Sequence, residues 1–311
     1  MAVRSELGGR VEVVAGAWLQ RARLSLPSKV ARPWSGHAPF HLPAASHATP
    51  SLRVGRLIVL ALILTALLAP ALAPFPPDQI GAGPRLAAPS LMHPFGTDAL
   101  GRDLLSRVMY GSRAALLLAG IGVGVAAGLG VSLGLAAGYF GGWTDRALSR
   151  AVEVWLAFPG LLLAVIVVAR LGPSLTNAAL ALGIAGAPAF FRLARAETLC
   201  AKAGQYVESA RALGASSHRI VFRHILPNIL PSLIALATLR AGTMILAGGG
   251  LSFVGLGAQP PAAEWGALLA QGRDAMVEAP WLALFPGLAM MLTVVGLNLL
   301  GDGLRDWMDA R

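Results

Sequence analysis

Six apolar runs, each long enough to cross a lipid bilayer, dominate the chain and limit what it can fold into. A span needs about 20 apolar residues, because an α-helix rises only about 1.5 Å per residue. Only 13% of the residues are charged, roughly half the share found in a soluble domain. The sequence therefore predicts an all-α integral membrane protein with six transmembrane helices, at about residues 55–75, 113–139, 151–172, 174–195, 229–257 and 281–302.

The basic residues are unevenly divided between the two sides of this predicted topology. With the N-terminus inside, the inner segments hold 18 Lys and Arg and the outer segments hold 6. The inner loops of membrane proteins carry such an excess. We therefore expect a multi-pass protein of the cell (inner or plasma) membrane, surrounded by lipid, with both termini cytoplasmic. The same distribution accounts for the net charge of +10 without a nucleic-acid partner.

Residues 1–52 precede the first predicted span and are interpreted as a flexible cytoplasmic extension, since residues 27–50 are rich in Pro, Ala, Ser and His. The extension lacks the long apolar stretch and cleavage site of a signal peptide. His37, His41 and His47 are irregularly spaced and have no acidic or thiol neighbours, so no metal site is predicted. One cysteine, Cys200, allows no internal disulfide. No cofactor is expected.

The second span contains glycines at four-residue spacing in the stretch GIGVGVAAGLGVSLGLAAG (residues 120–138). A dinucleotide-binding site is not indicated, because no strand–turn–helix context or downstream acid surrounds the glycines. Small residues at this spacing let membrane helices approach closely. We expect helix packing through two glycine faces, Gly120, Gly124 and Gly128 on one and Gly130, Gly134 and Gly138 on the other.

The fifth span is longer than one crossing needs. Three consecutive glycines at 248–250 predict a break or kink near its end.

The chain has no energy source that its sequence reveals. A P-loop needs a lysine after its glycines, and neither Lys29 nor Lys202 has that context. Carriers driven by ion gradients usually need carboxylates at membrane depth, whereas all fifteen Asp and Glu fall outside the spans or at their edges. If the protein transports a solute, these features favour a separate motor that docks from the cytoplasm. No residue is expected to be catalytic.

A charged segment of helical periodicity, GQYVESARALGASSHRIVFRHILPNILP (residues 204–231), interrupts the apolar spans. It predicts two short helices, because Gly214 suits the left-handed residue that ends a helix and Ser216 or Ser217 can cap the next one before Pro227 stops it. A short helix with an apolar face fits a groove in a partner, but periodicity alone equally allows a helix lying on lipid head groups. The apolar stripe of the first helix comprises Tyr206, Val207, Ala210, Leu213 and Gly214.

The stretch YVESARALGAS…RHILPN resembles the EAA-type loop of ABC importer permeases, the segment that docks into the ATPase subunit. Similarity to the peptide/nickel subfamily, and within it to the C-type (second) permease subunit, extends from about residue 52 to the end. Four further stretches carry it: HPFGTDALGRDLLSRVMYGSR (93–113), GYFGGWTDRALSRAVEVWLAFPGLLLA (138–164), LSFVGLGAQPPAAEWGALLAQGRD (251–274) and APWLALFPGLAMMLTVVGLNLLGDGLRDWMD (279–309).

The resemblance implies a type I ABC importer permease fold with cytoplasmic coupling helices. It divides the chain into residues 53–112 (first helix and an extracytoplasmic loop with an amphipathic helix), the five-helix core 113–303 with coupling loop 204–231, and a cytoplasmic tail, 304–311. The implied partners are a second permease, two ABC ATPases and an extracytoplasmic substrate-binding protein.

The implied function is passage of di- or oligopeptides, with ATP hydrolysis on separate ATPase subunits. Nickel or another small solute is the alternative within the family. An ATP-independent channel or carrier and a non-transporting membrane scaffold are the alternatives outside it.

The resemblance also implies which residues couple this chain to the ATPase. Ser209 stands where the motif commonly has alanine, and Gly248 stands where relatives usually have an acidic residue. The implied coupling residues are Tyr206, Glu208, Ser209, Ala210, Leu213, Gly214, Leu226 and Pro227.

Two further positions stand out by their charge. Arg240 lies inside the fifth span, where an isolated charge costs about 2.5–3.5 kcal/mol, and either a place on the substrate pathway or a contact with neighbouring helices or the second permease would explain it. Thr97 and Asp98 resemble an N-cap that opens an amphipathic helix with Asp103 and Arg107 at i and i+4.

Overall fold

The computed structural model describes residues 50–309, so most of the predicted extension 1–52 lies outside the described residues. Within the described range all regular structure is helical. The helices are α1 (Pro50–Leu72), α2 (Leu104–Phe140), α3 (Gly142–Leu156), α4 (Gly160–Leu171), α5 (Leu175–Lys202), α6 (Gln205–Ala212), α7 (Ser217–Arg219), a π-helical turn (Ile220–Ile225), α8 (Leu226–Phe253), α9 (Trp265–Asp274) and α10 (Trp281–Asp309).

The six predicted crossings are confirmed if one bent pair of helices counts as a crossing. Five helical stretches of the described chain are long and apolar enough to span a membrane, α7 to α8 being one of them. Helices α3 and α4 pass the same test only together, and they are bent by 85° at the break between them. That break contains Pro159, whose ring cannot continue a helix without losing a hydrogen bond.

Helices α2 and α5 run parallel and pack against each other more extensively than any other pair of helices in the described chain. A Cβ added to Gly130 would come within 2.6 Å of the Phe190 Cβ, and one added to Gly138 within 2.7 Å of the Thr198 Cβ. The prediction that Gly130, Gly134 and Gly138 serve helix packing is therefore confirmed. The other predicted face, Gly120, Gly124 and Gly128, meets nothing within 4 Å in the described chain.

Helices α1 and α10 run antiparallel, since Gly303 contacts Leu52 and Gly296 contacts Ile58. Residues 50 and 309 therefore lie at the same end of the helix bundle. Residues 203–219 lie at that end too, because they precede α8, which runs antiparallel to α10: Gly249 contacts Met290, and Leu239 contacts Gly301. We call residues 203–219 the turn end, and the opposite end, made of residues 73–103 and 254–280, the loop end.

Of the break or kink predicted at residues 248–250, the break is wrong. Helix α8 continues to Phe253, and Gly255 follows it with a φ of +84°. The glycines are instead needed for packing, since a Cβ on Gly248 would overlap the Leu118 side chain and one on Gly249 would lie 2.5 Å from the Met290 Cε. Close approach of α8 to α2 and α10 explains them better than a kink.

The helix predicted to open after Thr97 and Asp98 begins later, at Leu104, with Asp103 as its N-cap. It is not a separate amphipathic helix, because it continues without interruption into the second span and ends at Phe140. The predicted boundary between residues 112 and 113 falls inside this helix. Thr97 and Asp98 lie in the preceding loop, where both are buried.

Candidate functional site

Helix α6 at the turn end is fixed to the bundle by one side of its surface only. Val207 is completely buried in the main apolar core, and Ala210 packs partly against the same core. Tyr206 and Leu213 point away from it, with 42% and 89% of their surface exposed. The predicted single stripe is therefore two faces: an inner face that anchors the helix and an outer face that exposes two large apolar side chains.

Gly214 ends α6 in the left-handed conformation that the sequence predicts, with a φ of +78°. The Gly214 N–H donates to the Arg211 carbonyl and the Ala215 N–H to the Ala210 carbonyl, both at 3.0 Å. These two bonds form a Schellman motif, which satisfies carbonyls that a helix end otherwise leaves unpaired. A glycine has no Cβ and adopts this conformation without strain.

The second predicted short helix does not exist as a separate unit. Ser216 caps the following turn, accepting a hydrogen bond from the Arg219 N–H at 3.4 Å. From Ser217 the chain continues through the π-helical turn into α8, so the prediction that Pro227 stops this helix is wrong. Pro227 follows directly on the π-helical turn, at the second residue of α8.

The predicted coupling residues are thus brought to one end of the bundle but differ in accessibility. Glu208, Ser209, Gly214 and Pro227 are exposed, whereas Leu226 is partly buried against the core. The chain offers at this end a short, anchored helix with exposed apolar and charged side chains, and no described element covers it. Such a surface can dock into a groove.

The loop end contains a buried polar network that the sequence did not lead us to expect. Asp98 accepts hydrogen bonds from the N–H groups of Leu100 and Arg102, at 2.8 and 2.9 Å, and from the Arg102 Nε at 2.6 Å. Asp103 accepts from the Ser106 N–H at 2.8 Å and lies 2.9 Å from the His93 Nδ1. The predicted pairing of Asp103 with Arg107 is replaced by these contacts.

Arg107 is fully buried at the centre of this network. Its guanidinium donates to the Pro77 carbonyl at 2.9 Å and reaches the Pro261 carbonyl at 3.5 Å. It lies 3.7 Å from Asp78 and 3.8 Å from Asp98. Arg107 therefore joins the two segments of the loop end. The only signal in the sequence was the Asp103–Arg107 spacing at i and i+4.

The second segment of the loop end is fastened by Trp265 and Glu264. The Trp265 Nε1 donates to the Val108 carbonyl at 2.9 Å, and Glu264 caps α9 by accepting from the Ala267 N–H at 2.9 Å. Burial raises the pKa of the Glu264 carboxyl, although hydrogen bonds from the Gly266 and Ala267 N–H groups and the Ser252 hydroxyl partly offset the rise.

Arg240 lies in the middle of α8 and is partly buried. Its carbonyl accepts from the Thr243 hydroxyl at 2.9 Å, but within residues 50–309 no carboxylate pairs with its side chain. By contrast, Arg195 in α5 forms a bidentate ion pair with Asp145 at the start of α3. The position of Arg240 therefore needs a contribution from outside the described chain.

Comparison with known proteins places this architecture among transport permeases. Residues 130–311, more than half of the chain, match the family model described as the binding-protein-dependent transport system inner membrane component. The chain is 45% identical over 258 residues to the dipeptide transport system permease protein DppC of Alkalihalophilus pseudofirmus, covering 83% of this chain and 85% of the relative.

A second relative covers nearly the whole chain. The glutathione transport system permease protein GsiD of Escherichia coli O6:K15:H31 is 43% identical over 300 residues, which are 94% of this chain and 97% of that protein. Among solved structures, a chain of the MetNI methionine ABC transporter in inward-facing conformations matches with a TM-score of 0.53 and 21% identity, covering 64% of this chain and 95% of that one. At that identity the match shows the fold alone.

Proposed function

The chain belongs to the family of binding-protein-dependent transport system inner membrane components, as a permease subunit of an ABC importer, and on that premise we propose that its cargo is a di- or oligopeptide. Relatives at 45% and 43% identity are named as dipeptide and glutathione permeases, and glutathione is itself a small peptide. Nickel or another small solute is the second candidate, because the peptide/nickel resemblance includes both.

The motor of this importer is a pair of separate ABC ATPases, which dock at the turn end. The absence of a P-loop in the sequence supports this assignment. The turn end is then the cytoplasmic end. This agrees with the distribution of basic residues, because residues 203–219 and both ends of the described chain lie on this side and belong to the segments that are rich in Lys and Arg. A second permease completes the passage, and a substrate-binding protein delivers cargo at the loop end.

One observation carries the docking assignment: α6 is anchored through buried Val207 while Leu213 beside the Schellman turn is 89% exposed. An exposed leucine on a short, fixed helix is suited to enter a groove in a partner, since its burial there would contribute about 2 kcal/mol. Movement of α6 can reach α8 through a short path, because only the turn at residues 213–216, α7 and the π-helical turn connect the two helices.

The experiment compares Leu213→Asp with Val277→Asp in the assembled transporter. Val277 is a matched control because it is also an apolar residue with 99% exposure, but it lies at the loop end. Leu213→Asp should abolish co-purification of the ATPases and lower ATP-driven uptake of a labelled dipeptide at least tenfold. Val277→Asp should leave ATPase binding unchanged.

Equal ATPase binding by both variants would refute docking at the turn end. Uptake of dipeptide by this chain alone in proteoliposomes, without ATPases, would instead establish the ATP-independent carrier. Uptake of nickel but not of peptides by the complete transporter would replace the proposed cargo. Unchanged uptake of every tested solute on deletion of the chain would establish the scaffold.

A further inference from the structure

Arg240 is a cation in the middle of α8, part of a stretch that is long and apolar enough to span a membrane. It is 14 residues from the start of α8 and 13 from its end, so that it lies about 20 Å from either end at 1.5 Å per residue. A guanidinium at that depth needs water or an anionic partner, because burial of an isolated charge is unfavourable.

The described chain supplies no such partner. Helices α1, α2, α4 and α8 contain no Asp or Glu at all. Helices α5 and α10, which pack against α8, carry carboxylates, Glu197, Asp302 and Asp306 among them, but no described ion pair joins these residues to Arg240. Water or an anionic group outside residues 50–309 must therefore accompany the Arg240 guanidinium.

The surface that continues from Arg240 toward the loop end is uncovered by other helices of this chain. Thr243, Leu246, Gly250 and Phe253 are exposed along it, at offsets of 3, 6, 10 and 13 residues, which is the spacing of one helical face. A Cβ on Gly250 would meet nothing within 4 Å. We call this surface the α8 face.

A second guanidinium lies at the loop end of the α8 face. The Arg273 guanidinium carbon is 5.5 Å from the centroid of the Phe253 ring, in a cation–π arrangement, and its Nε also contacts Asp274 at 3.0 Å. The α8 face thus has the Arg273 guanidinium at its loop end and, at mid-depth, the Arg240 guanidinium, which pairs with no described carboxylate. The Thr243 hydroxyl and the Gly250 backbone lie between them. Such a surface attracts anions.

We propose that the α8 face lines the passage and that Arg240 binds the carboxylate of the cargo at mid-depth. A guanidinium can donate two parallel N–H···O bonds to a carboxylate, which fixes its orientation as well as its charge. A free peptide carries this group ionised at neutral pH, because its α-carboxyl titrates near 3.5. The inference rests on the proposed function for the source of the carboxylate.

The first test measures access and charge preference with thiol reagents. A Thr243→Cys variant is made in a Cys200→Ser background, and the assembled transporter is labelled with an anionic and a cationic methanethiosulfonate of similar size. The anionic reagent should react about tenfold faster, as expected for one charge at about 6 Å in a partly aqueous environment. Arg240→Gln in the same background should remove that preference. Leu64→Cys, at an exposed apolar position of α1, should react with neither reagent.

The second test measures uptake of a dipeptide and of its C-terminal amide by the complete transporter. For each cargo the rate of a variant is divided by the wild-type rate, so that any preference of the binding protein cancels. Arg240→Gln should lower this ratio about tenfold for the free acid and little for the amide, whereas Arg240→Lys should retain part of the ratio for the acid.

Three outcomes would overturn the inference, and none of them involves ATPase docking. An unreactive thiol at position 243 would mean that the α8 face is covered by protein or lipid. Equal labelling by both reagents, or equal loss of acid and amide uptake, would mean that Arg240 does not select anions. Loss of the second permease on purification of Arg240→Gln would assign the counter-charge to that subunit. The proposed ATPase docking is tested separately, by the Leu213→Asp variant.

Discussion

The two ends of the bundle differ in which side chains they bury and which they expose. The loop end buries charged groups, Arg107 and Asp98 among them, and gives them hydrogen-bond or ion-pair partners from two distant segments. The turn end leaves apolar Leu213 and Tyr206 exposed on a helix of eight residues. A buried network of hydrogen bonds and ion pairs specifies one arrangement, even though His93 Nε2 and Arg107 Nε have no hydrogen-bond partner in the described chain, whereas an exposed apolar surface is typical of a binding site. The comparison indicates that contacts within the chain fix the buried charges of the loop end, whereas α6 at the turn end is held through one face only.

The largest expected effect comes from breaking the loop end at its centre. Arg107→Ala should destabilise the protein by about 3–5 kcal/mol, because it leaves buried partners without their counter-charge and the Pro77 and Pro261 carbonyls without a donor. The measurement is the thermal melting temperature and the yield of monodisperse protein in detergent. Arg113→Ala is the control, since Arg113 is exposed on the same helix and only approaches the Tyr110 ring, at 5.8 Å.

If Arg107→Ala and Arg113→Ala melted alike, the loop end would not be the internally fixed end. Arg107→Lys should fall between them, because lysine keeps the charge but lacks the fork of donors that reaches several carbonyls.

A smaller, local effect is expected at the turn end. Gly214→Val should cost about 1–2 kcal/mol or more, since a side chain with a branched Cβ is strained at a φ of +78°. Hydrogen exchange at the Gly214 and Ala215 amides should accelerate about tenfold or more, because their bonds to Arg211 and Ala210 open. Gly214→Asn should have much less effect, because asparagine tolerates this conformation.

The same exchange experiment contains its own control at the loop end. The Leu104 amide, which donates to the Gly96 carbonyl at 3.1 Å, should keep its protection in Gly214→Val. Loss of protection at both ends would show that they are not independent, and the contrast between them would fail.

The smallest effect is a pH dependence of the loop end. Burial raises the pKa of Glu264, so the folded protein binds a proton more tightly there than the unfolded chain does. Stability contributed by this group should therefore fall as the pH rises from the ordinary carboxyl pKa of 4.5 through the raised value. Glu264→Gln should flatten the dependence of the melting temperature on pH in that window, while its amide oxygen still accepts from the Ala267 N–H.

Glu278→Gln, at an exposed position of the same segment, should retain the wild-type dependence. An identical pH profile in Glu264→Gln and the wild type would contradict the assignment of this titration to Glu264.

The sequence alone was sufficient for the features that depend on local patterns. Runs of apolar residues predicted the crossings, because the length of a helix that spans a bilayer is fixed by its rise. Gly214 predicted the end of α6, since few other residues adopt a positive φ. The glycines at 130, 134 and 138 predicted close packing of α2, because small residues at four-residue spacing let membrane helices approach each other.

Only the tertiary structure decided which face of each helix is covered. Periodicity placed Tyr206 and Val207 on one stripe, but the core contacts Val207 and leaves Tyr206 exposed. Likewise, the charges of residues 98–107 gave the pattern of an amphipathic surface helix, yet contacts from segments some 30 and 154 residues away bury Arg107. Periodicity states that a helix has two sides, whereas burial depends on neighbours that are distant along the chain.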